Sequence, residues 1–315
     1  MSYDSPKAFR SIVLLNMLGK LIEKAISNRI QLHVVSNNFI YHSQLGGLKF
    51  KSTTDIGIVL THFIYMEWVK NLLTSTLAFD ISQFFSFLNH CLLSLTLTKV
   101  GLDFNTVKFF SSYHVNRKMQ YVWNNFSSHF VDVNVSVDQG SALSSILLAL
   151  YLASFLYILE KHLKNLNLQI FLLYFIDNGL LIIQSKFFET SNTHLFCSYN
   201  VALNLLTKFG LQVEHSKTEV FHFSRAHGIF NPPLLNLSPL GGPILSPKIS
   251  WQYLGFIFNR KLSFHSHIDF YANKTISIIK CMKILGNSTR GLNPCQKRLL
   301  YRYCTMLIAL YGFQL

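Results

Sequence analysis

Leu172-Leu173-Tyr174-Phe175-Ile176-Asp177-Asn178-Gly179-Leu180-Leu181-Ile182-Ile183 is the stretch on which the reading of this chain turns. From Leu168 to Gln184 the sequence is apolar except around Asp177-Asn178-Gly179. That pattern predicts two buried strands joined by a tight turn. Asn-Gly is a hairpin signal because both residues tolerate positive φ. Asp177 then stands at the mouth of a buried strand, where a carboxylate needs a partner to offset its desolvation. Asp80 repeats the pattern in Leu77-Ala78-Phe79-Asp80-Ile81. Taken singly, each aspartate reads as a turn or capping residue. Two such strands side by side would gather two carboxylates around Mg²⁺, which prefers carboxylate and phosphate oxygens.

The rest of the chain is basic and apolar. Of 315 residues, 50% are hydrophobic, enough to core one large domain or two to three subdomains. Twenty-eight Lys and Arg against 14 Asp and Glu favour a polyanionic partner, nucleic acid or an anionic membrane surface. Between Asn259 and Arg302 stand Arg260, Lys261, Lys274, Lys280, Lys283, Arg290, Lys297, Arg298 and Arg302, with Asp269 the one acid. Such runs are usually solvated helix faces; this imbalance suits a phosphate backbone better. The five cysteines show no CxxC spacing and are expected to be buried free thiols in a reducing compartment. No apolar run follows a basic start, so the expected location is intracellular, nucleus or cytoplasm, with the mitochondrion left open. Ala142 to Leu159 is long and uncharged enough for a membrane span. Its serines and the lack of a preceding Lys/Arg cluster favour a buried helix, so no stable membrane insertion is expected.

Punctuation divides the chain further. Leu18, Leu21, Ile22, Ala25 and Ile26 share a predicted helix face opposite Lys20, Glu23, Lys24, Asn28 and Arg29. Ser52-Thr53-Thr54-Asp55 reads as a cap before Ile56, Val59, Leu60, Phe63 and Ile64. A helix over 88–99 should stop at Gly101. Met119–Trp123 and Phe130–Val137 read as a hairpin, with Val131, Val133, Val135 and Val137 inward. Helices are expected over 144–164 and 192–209, a strand pair over 211–224, a loop through the prolines of 225–250, a hairpin over 251–264, and helices over 266–285 and 294–311.

Seven motifs in order resemble the reverse transcriptases of non-LTR retrotransposons, of fungal type. They are Phe9-Arg10-Ser11-Ile12-Val13-Leu14-Leu15-Asn16; Gln44-Leu45-Gly46-Gly47 through Asp55; Phe79-Asp80 with Phe85; Gln139-Gly140-Ser141-Ala142-Leu143-Ser144; Phe175-Ile176-Asp177-Asn178; Gly210-Leu211 through Lys217-Thr218-Glu219; and Tyr253-Leu254-Gly255. The resemblance implies an α+β, right-hand polymerase fold. Fingers would span 1–78 and the palm 79–224, with a fingers hairpin around 110–137. A linker would follow over 225–250, then a palm-edge hairpin and partial thumb over 251–315. It implies RNA-directed DNA synthesis by two-metal transfer to a primer 3′-hydroxyl, with Mg²⁺, or Mn²⁺, held by Asp80 and Asp177. Lys217 would lie near the leaving pyrophosphate. Arg10 would clamp the triphosphate. Phe85 would exclude a ribose 2′-hydroxyl and so favour DNA over RNA product. Gln139 and Gly140 would lie under the nascent pair, and Lys274, Lys280, Lys283 and Arg290 would grip RNA template and DNA primer.

Four positions depart from the family pattern. Ser11 and Ser145 stand where proline is usual, Ser86 where aspartate or proline is usual, and Asn178 where the second aspartate of the box is usual. Asn keeps the bulk of Asp but not its charge, so strongly reduced or absent polymerase activity is expected. The substitutions suit single C-to-T or G-to-A changes, as in a mutated, silenced copy of a mobile element. The lysine-bearing fingers segment and the endonuclease that the family carries upstream are not in the sequence, nor is a ribonuclease H region, so a fragment is expected. The alternatives are a catalytically dead nucleic-acid-binding remnant of the same fold and, in another class, a membrane protein spanning at 142–159.

Overall fold

A computed structural model describes residues 12–116, 118–123, 125–132, 139–226, 231–285 and 291–315. In chain order, α1 (Met17–Ser36) and α2 (Thr53–Val69) lead into β1 (Leu73–Ser82), followed by α3 (His90–Lys99) and α4 (Phe104–His114). Two short ladders come next, β2 (Lys118–Met119) with β5 (Val131–Asp132) and β3 (Val122–Trp123) with β4 (Phe126–Ser127). Then come α5 (Ser144–Asn165), the hairpin β6 (Ile170–Phe175) and β7 (Asn178–Ser185), α6 (Phe188–Lys208), β8 (Gln212–Val213) and β9 (Glu219–Phe223). The chain ends with β10 (Leu235–Asn236), β11 (Ile244–Leu245), β12 (Ser250–Tyr253), β13 (Phe256–Asn259), α7 (His265–Ile284), α8 (Pro294–Leu300) and α9 (Met306–Ala309).

β1 is the centre of an antiparallel sheet. β7 and then β6 lie on one side of it, and β8 and β9 pair with its other edge. Side chains alternate across a strand, and β1 divides two apolar layers by that rule. Leu77, Phe79 and Ile81 join the layer built with α5 and α6. Ala78 joins the layer built with α2 and the β12–β13 hairpin. α5 is the core helix: Ile146 through Ala153, with Phe155, Leu156 and Leu159, are buried. Its length and apolarity would suit a membrane, and 67% of its apolar window lies inside the protein.

Several expectations give way to packing. Most of the predicted apolar face of α1 points outward: Leu18 and Leu21 are 67% and 63% exposed, while Ile26 packs against the main core. The buried line is Glu23, Ser27, Ile30 and Val34. A charged residue can occupy it because the Glu23 carboxylate accepts from the Tyr113 hydroxyl, from Ser141 Oγ at 2.7 Å and from the Ala142 N–H at 3.3 Å. The cysteines are free, as expected, but all five are exposed. β8 and β9 pair with β1 and not with each other, separated by a 3₁₀ turn over His215–Lys217. Val131 is exposed on its two-residue strand, while Val133, Val135 and Val137 lie outside the described residues. The proline-rich stretch is tied down: β10 and β11 pair, and Leu235, Leu237 and Leu245 enter the main core.

Candidate active site

The β1–β7 register sets Asp80 opposite Asn178. Alternation puts both on the sheet face that meets the β12–β13 hairpin. Asp177 sits in the β6–β7 turn, and its carbonyl accepts from the Ile81 N–H at 3.0 Å, which ties the turn to the end of β1. The Asp80 carbonyl accepts from the Glu214 N–H at 2.9 Å, which draws in the 3₁₀ turn carrying Lys217. The chain thus gathers Asp80, Asp177, Asn178 and Lys217 from three separate segments. A cleft of ≈ 120 Å³ lined by Phe79, Asp80, Asn178, Lys217, Glu219 and Tyr253 opens there.

The turn differs from the one the Asn-Gly signal predicts. The residue in the left-handed region is Ile176, at φ 57°, and neither Asn178 nor Gly179 has positive φ. A β-branched side chain there is strained by ~1–3 kcal/mol. The turn is held from outside. Leu45 N–H donates to the Tyr174 carbonyl at 3.0 Å, and Tyr174 N–H donates to the Ser43 carbonyl at 3.1 Å. Gly46 lies so close that a Cβ would stand 2.3 Å from the Ile176 nitrogen. Gly179 serves a different need, since a Cβ there would meet the Phe79 ring at 2.5 Å.

The carboxylates are unevenly satisfied. Lys217 Nζ pairs with Asp80 Oδ2, while Asp80 Oδ1 is buried without a hydrogen-bond partner. Asn178 Nδ2 donates to Asp177 Oδ1 at 2.9 Å. The Tyr253 hydroxyl is also buried without a partner, and burial, then the charge of Asp177, pushes its pKa up. It therefore stays protonated, a buried donor on a residue that lines the cleft. The turn carrying Lys217 is fixed from the core, where the buried Tyr199 hydroxyl lies 3.0 Å from His215 Nδ1 and 3.4 Å from Thr218 Oγ1.

The structure describes most of the other predicted residues, each in a setting of its own. Phe85 is half-buried in the turn after β1, its ring edge-on to Phe84. The Gln139 carbonyl accepts from the Val13 N–H at 3.0 Å, and Gly140, at φ 103°, packs on Ile12. Lys274, Lys280 and Lys283 are exposed on α7. That helix is fastened to the Tyr253-Leu254-Gly255 turn, with Tyr271 donating to the Gly255 carbonyl at 2.9 Å and His267 Nδ1 accepting from Ile257 N–H at 3.2 Å. Arg10 and Arg290 lie outside the described residues. Gly46 and Tyr253 stood in quoted motifs, yet nothing in sequence marked the close approach of one or the buried hydroxyl of the other. Tyr199 and His215 carried no signal.

A divalent ion has a partial fit. The orphaned Asp80 oxygen, on the strand end to which the Asp177 turn is tied, suits one hard cation. Among the described residues, no three of His, Cys, Asp and Glu converge, and the amide of Asn178 occupies the face where a further carboxylate would serve a second ion.

A mixed α+β molecule with this central sheet has a polymerase fold. Two Candida tropicalis telomerase structures share it, each at TM-score 0.54. One, in complex with a TWJ fragment of telomeric RNA, is 12% identical over 95% of this chain and 46% of its own; the other, of the apo telomerase, is 14% identical over 76% and 39%. The chain belongs to the family described as "Reverse transcriptase (RNA-dependent DNA polymerase)", which it matches over residues 3–258. That is a family of nucleotidyl-transferring enzymes that use divalent metal ions and bind template and primer. A Drosophila melanogaster protein, "Probable RNA-directed DNA polymerase from transposon BS", is 25% identical over 99% of this chain. The chain spans 34% of that relative's length.

Proposed function

We propose that this chain is the RNA-directed DNA polymerase core of a non-LTR retrotransposon, with its chemistry impaired at Asn178. The observation that carries the reading is the register of β1 and β7, which sets Asp80 beside the Asp177 turn. Asp80 and Asp177 would hold Mg²⁺ or Mn²⁺. When bound, the ion would polarise a primer 3′-hydroxyl and screen phosphate charge. The chain's own residues do the rest. Phe85 blocks the space of a 2′-hydroxyl, Gln139 and Gly140 support the nascent pair, and Lys217 neutralises the leaving pyrophosphate. Arg10 clamps the triphosphate, and α7 with Arg290 follows the template–primer backbone. In this reading residues 1–78 act as fingers, 79–224 as palm and 251–315 as hairpin and partial thumb, joined through 225–250.

A second reading, a nucleic-acid-binding remnant, is favoured by the Asn178 amide, which occupies a carboxylate oxygen of Asp177. Primer extension on an RNA template separates the two. The Asn178→Asp chain is expected to add deoxynucleotides to a DNA primer, and Asp80→Asn in that background is expected to stop it. Template–primer binding without extension by Asn178→Asp supports the remnant. Extension indifferent to Asp80→Asn overturns the site.

A further inference from the structure

We infer that Lys217 and Asn178 hold the two carboxylates in a self-paired state, and that a divalent ion reaches Asp80 only by displacing Lys217. The inference rests on the proposed site and concerns how that site is filled. Each aspartate has one oxygen covered by a nitrogen donor of this chain: Asp80 Oδ2 by the Lys217 ammonium, and Asp177 Oδ1 by the Asn178 amide at 2.9 Å. The second Asp80 oxygen is buried in the same small cleft and receives no hydrogen bond. A carboxylate has about four lone-pair positions, so Asp80 is under-satisfied in the direction the lysine does not cover.

Charge makes the lysine and a metal ion competitors. Asp80, Asp177 and Lys217 carry a single net negative charge between them, and the Glu219 carboxylate that also lines the cleft is paired with Lys248. A divalent ion entering beside Lys217 would meet a like charge at contact distance, in a partly buried site where screening is weak. The lysine is free to leave. Its side chain is 58% exposed against 15% for Asp80, and its stem is flexible. Its backbone stays put, because Tyr199 anchors His215 and Thr218 on either side. Departure of the side chain therefore opens Asp80 without moving the turn, and it frees a cation for a phosphate group. Asn178 cannot respond in the same way. Its amide sits on the strand directly opposite Asp80, and it donates where an aspartate would accept.

Mn²⁺ binding by the full chain, followed by the paramagnetic signal of the free ion, tests this without any turnover. Lys217→Met, which removes a like charge at contact distance, is expected to bind Mn²⁺ about tenfold more tightly than the unaltered chain. Asp80→Asn added to Lys217→Met is expected to abolish the gain. A zero-length carbodiimide cross-link between Asp80 and Lys217, read by peptide mass spectrometry, is expected in the unaltered chain and should fade as Mn²⁺ is added. The cross-link keeps the inference testable if Lys217→Met does not fold. Unchanged or weaker Mn²⁺ binding in Lys217→Met, or a cross-link indifferent to saturating Mn²⁺, overturns the displacement. If displacement holds while Asn178→Asp extends no primer, the polymerase reading alone fails. If Asn178→Asp extends primers and the lysine has no effect on Mn²⁺, only this inference fails.

Discussion

At Asn178 a carboxylate's charge is absent and an amide donor is added, and the two effects point the same way. Asp177 keeps a partner, so the turn and the strand register persist, while the proposed metal-binding face would lose both charge and an open oxygen. Gly179, one residue on, is a matter of space. Gly179→Ala would press a methyl into the Phe79 ring, and overpacking of this kind costs ~1–3 kcal/mol; urea unfolding should show stability fall by that amount. His222 gives the fold a pH dependence. Burial pushes its ring down to about 4 from an ordinary 6.5, and Ser75 Oγ lies 2.7 Å from its Nδ1. The unfolded chain takes up that proton below pH 6.5 and the folded chain only below about 4, so stability is full above 6.5 and falls as pH drops through the window. The loss amounts to about 3 kcal/mol. Urea midpoints at pH 7 and 4.5 should lie closer together in His222→Gln than in the unaltered chain; an equal separation would remove His222 as the source of the pH dependence.

At the scale of elements, those that report on themselves were the legible ones. β6, β7 and α5 are continuous apolar runs, and Asp80 and Asp177 are acids that interrupt such runs, so burial and the nearness of the Asp80 strand end to the Asp177 turn were readable together. The Ser52–Asp55 cap is a local hydrogen-bond pattern and appears as expected. What sequence concealed depends on distant partners. The buried face of α1 is chosen by Tyr113 and Ser141, which satisfy Glu23 from 90 and 118 residues away. The positive φ falls on Ile176 instead of Asn178 because Ser43–Gly46 clamp the turn from a remote segment. The turn that follows α9 is fastened similarly. The Tyr311 hydroxyl donates to the Leu254 carbonyl at 2.7 Å and lies 3.0 Å from Thr53 Oγ1, 258 residues away in sequence. Tyr311→Phe leaves that carbonyl without its donor and should destabilise the chain by ~1–2 kcal/mol in thermal or urea unfolding. No change would mean that this clamp adds nothing to stability.

Across the whole molecule, a net +14 and an α7 bearing Lys274, Lys280 and Lys283 on an exposed surface set the expected mode of nucleic-acid binding. Contacts to phosphate release counterions, so affinity for an RNA–DNA primer–template should fall steeply with salt. Each phosphate contact contributes about 0.9 to the slope of log K against log salt for duplex DNA. Changing the three lysines to Gln together should lower that slope by about 2–3. A slope unchanged by the triple substitution would move the nucleic-acid surface elsewhere. Tyr271 and His267 fasten α7 to the β12–β13 hairpin without using the three lysines, so in the proposed reading the triple substitution should weaken binding and leave Asp80 in place. The most direct test of an Asn178-impaired polymerase is the rate of primer extension on one RNA template, with Mg²⁺ and then Mn²⁺, for the unaltered chain and Asn178→Asp side by side. The expected rate is higher in Asn178→Asp by on the order of 10- to 100-fold, with similar unfolding midpoints. Equal rates for the two chains would contradict the impairment.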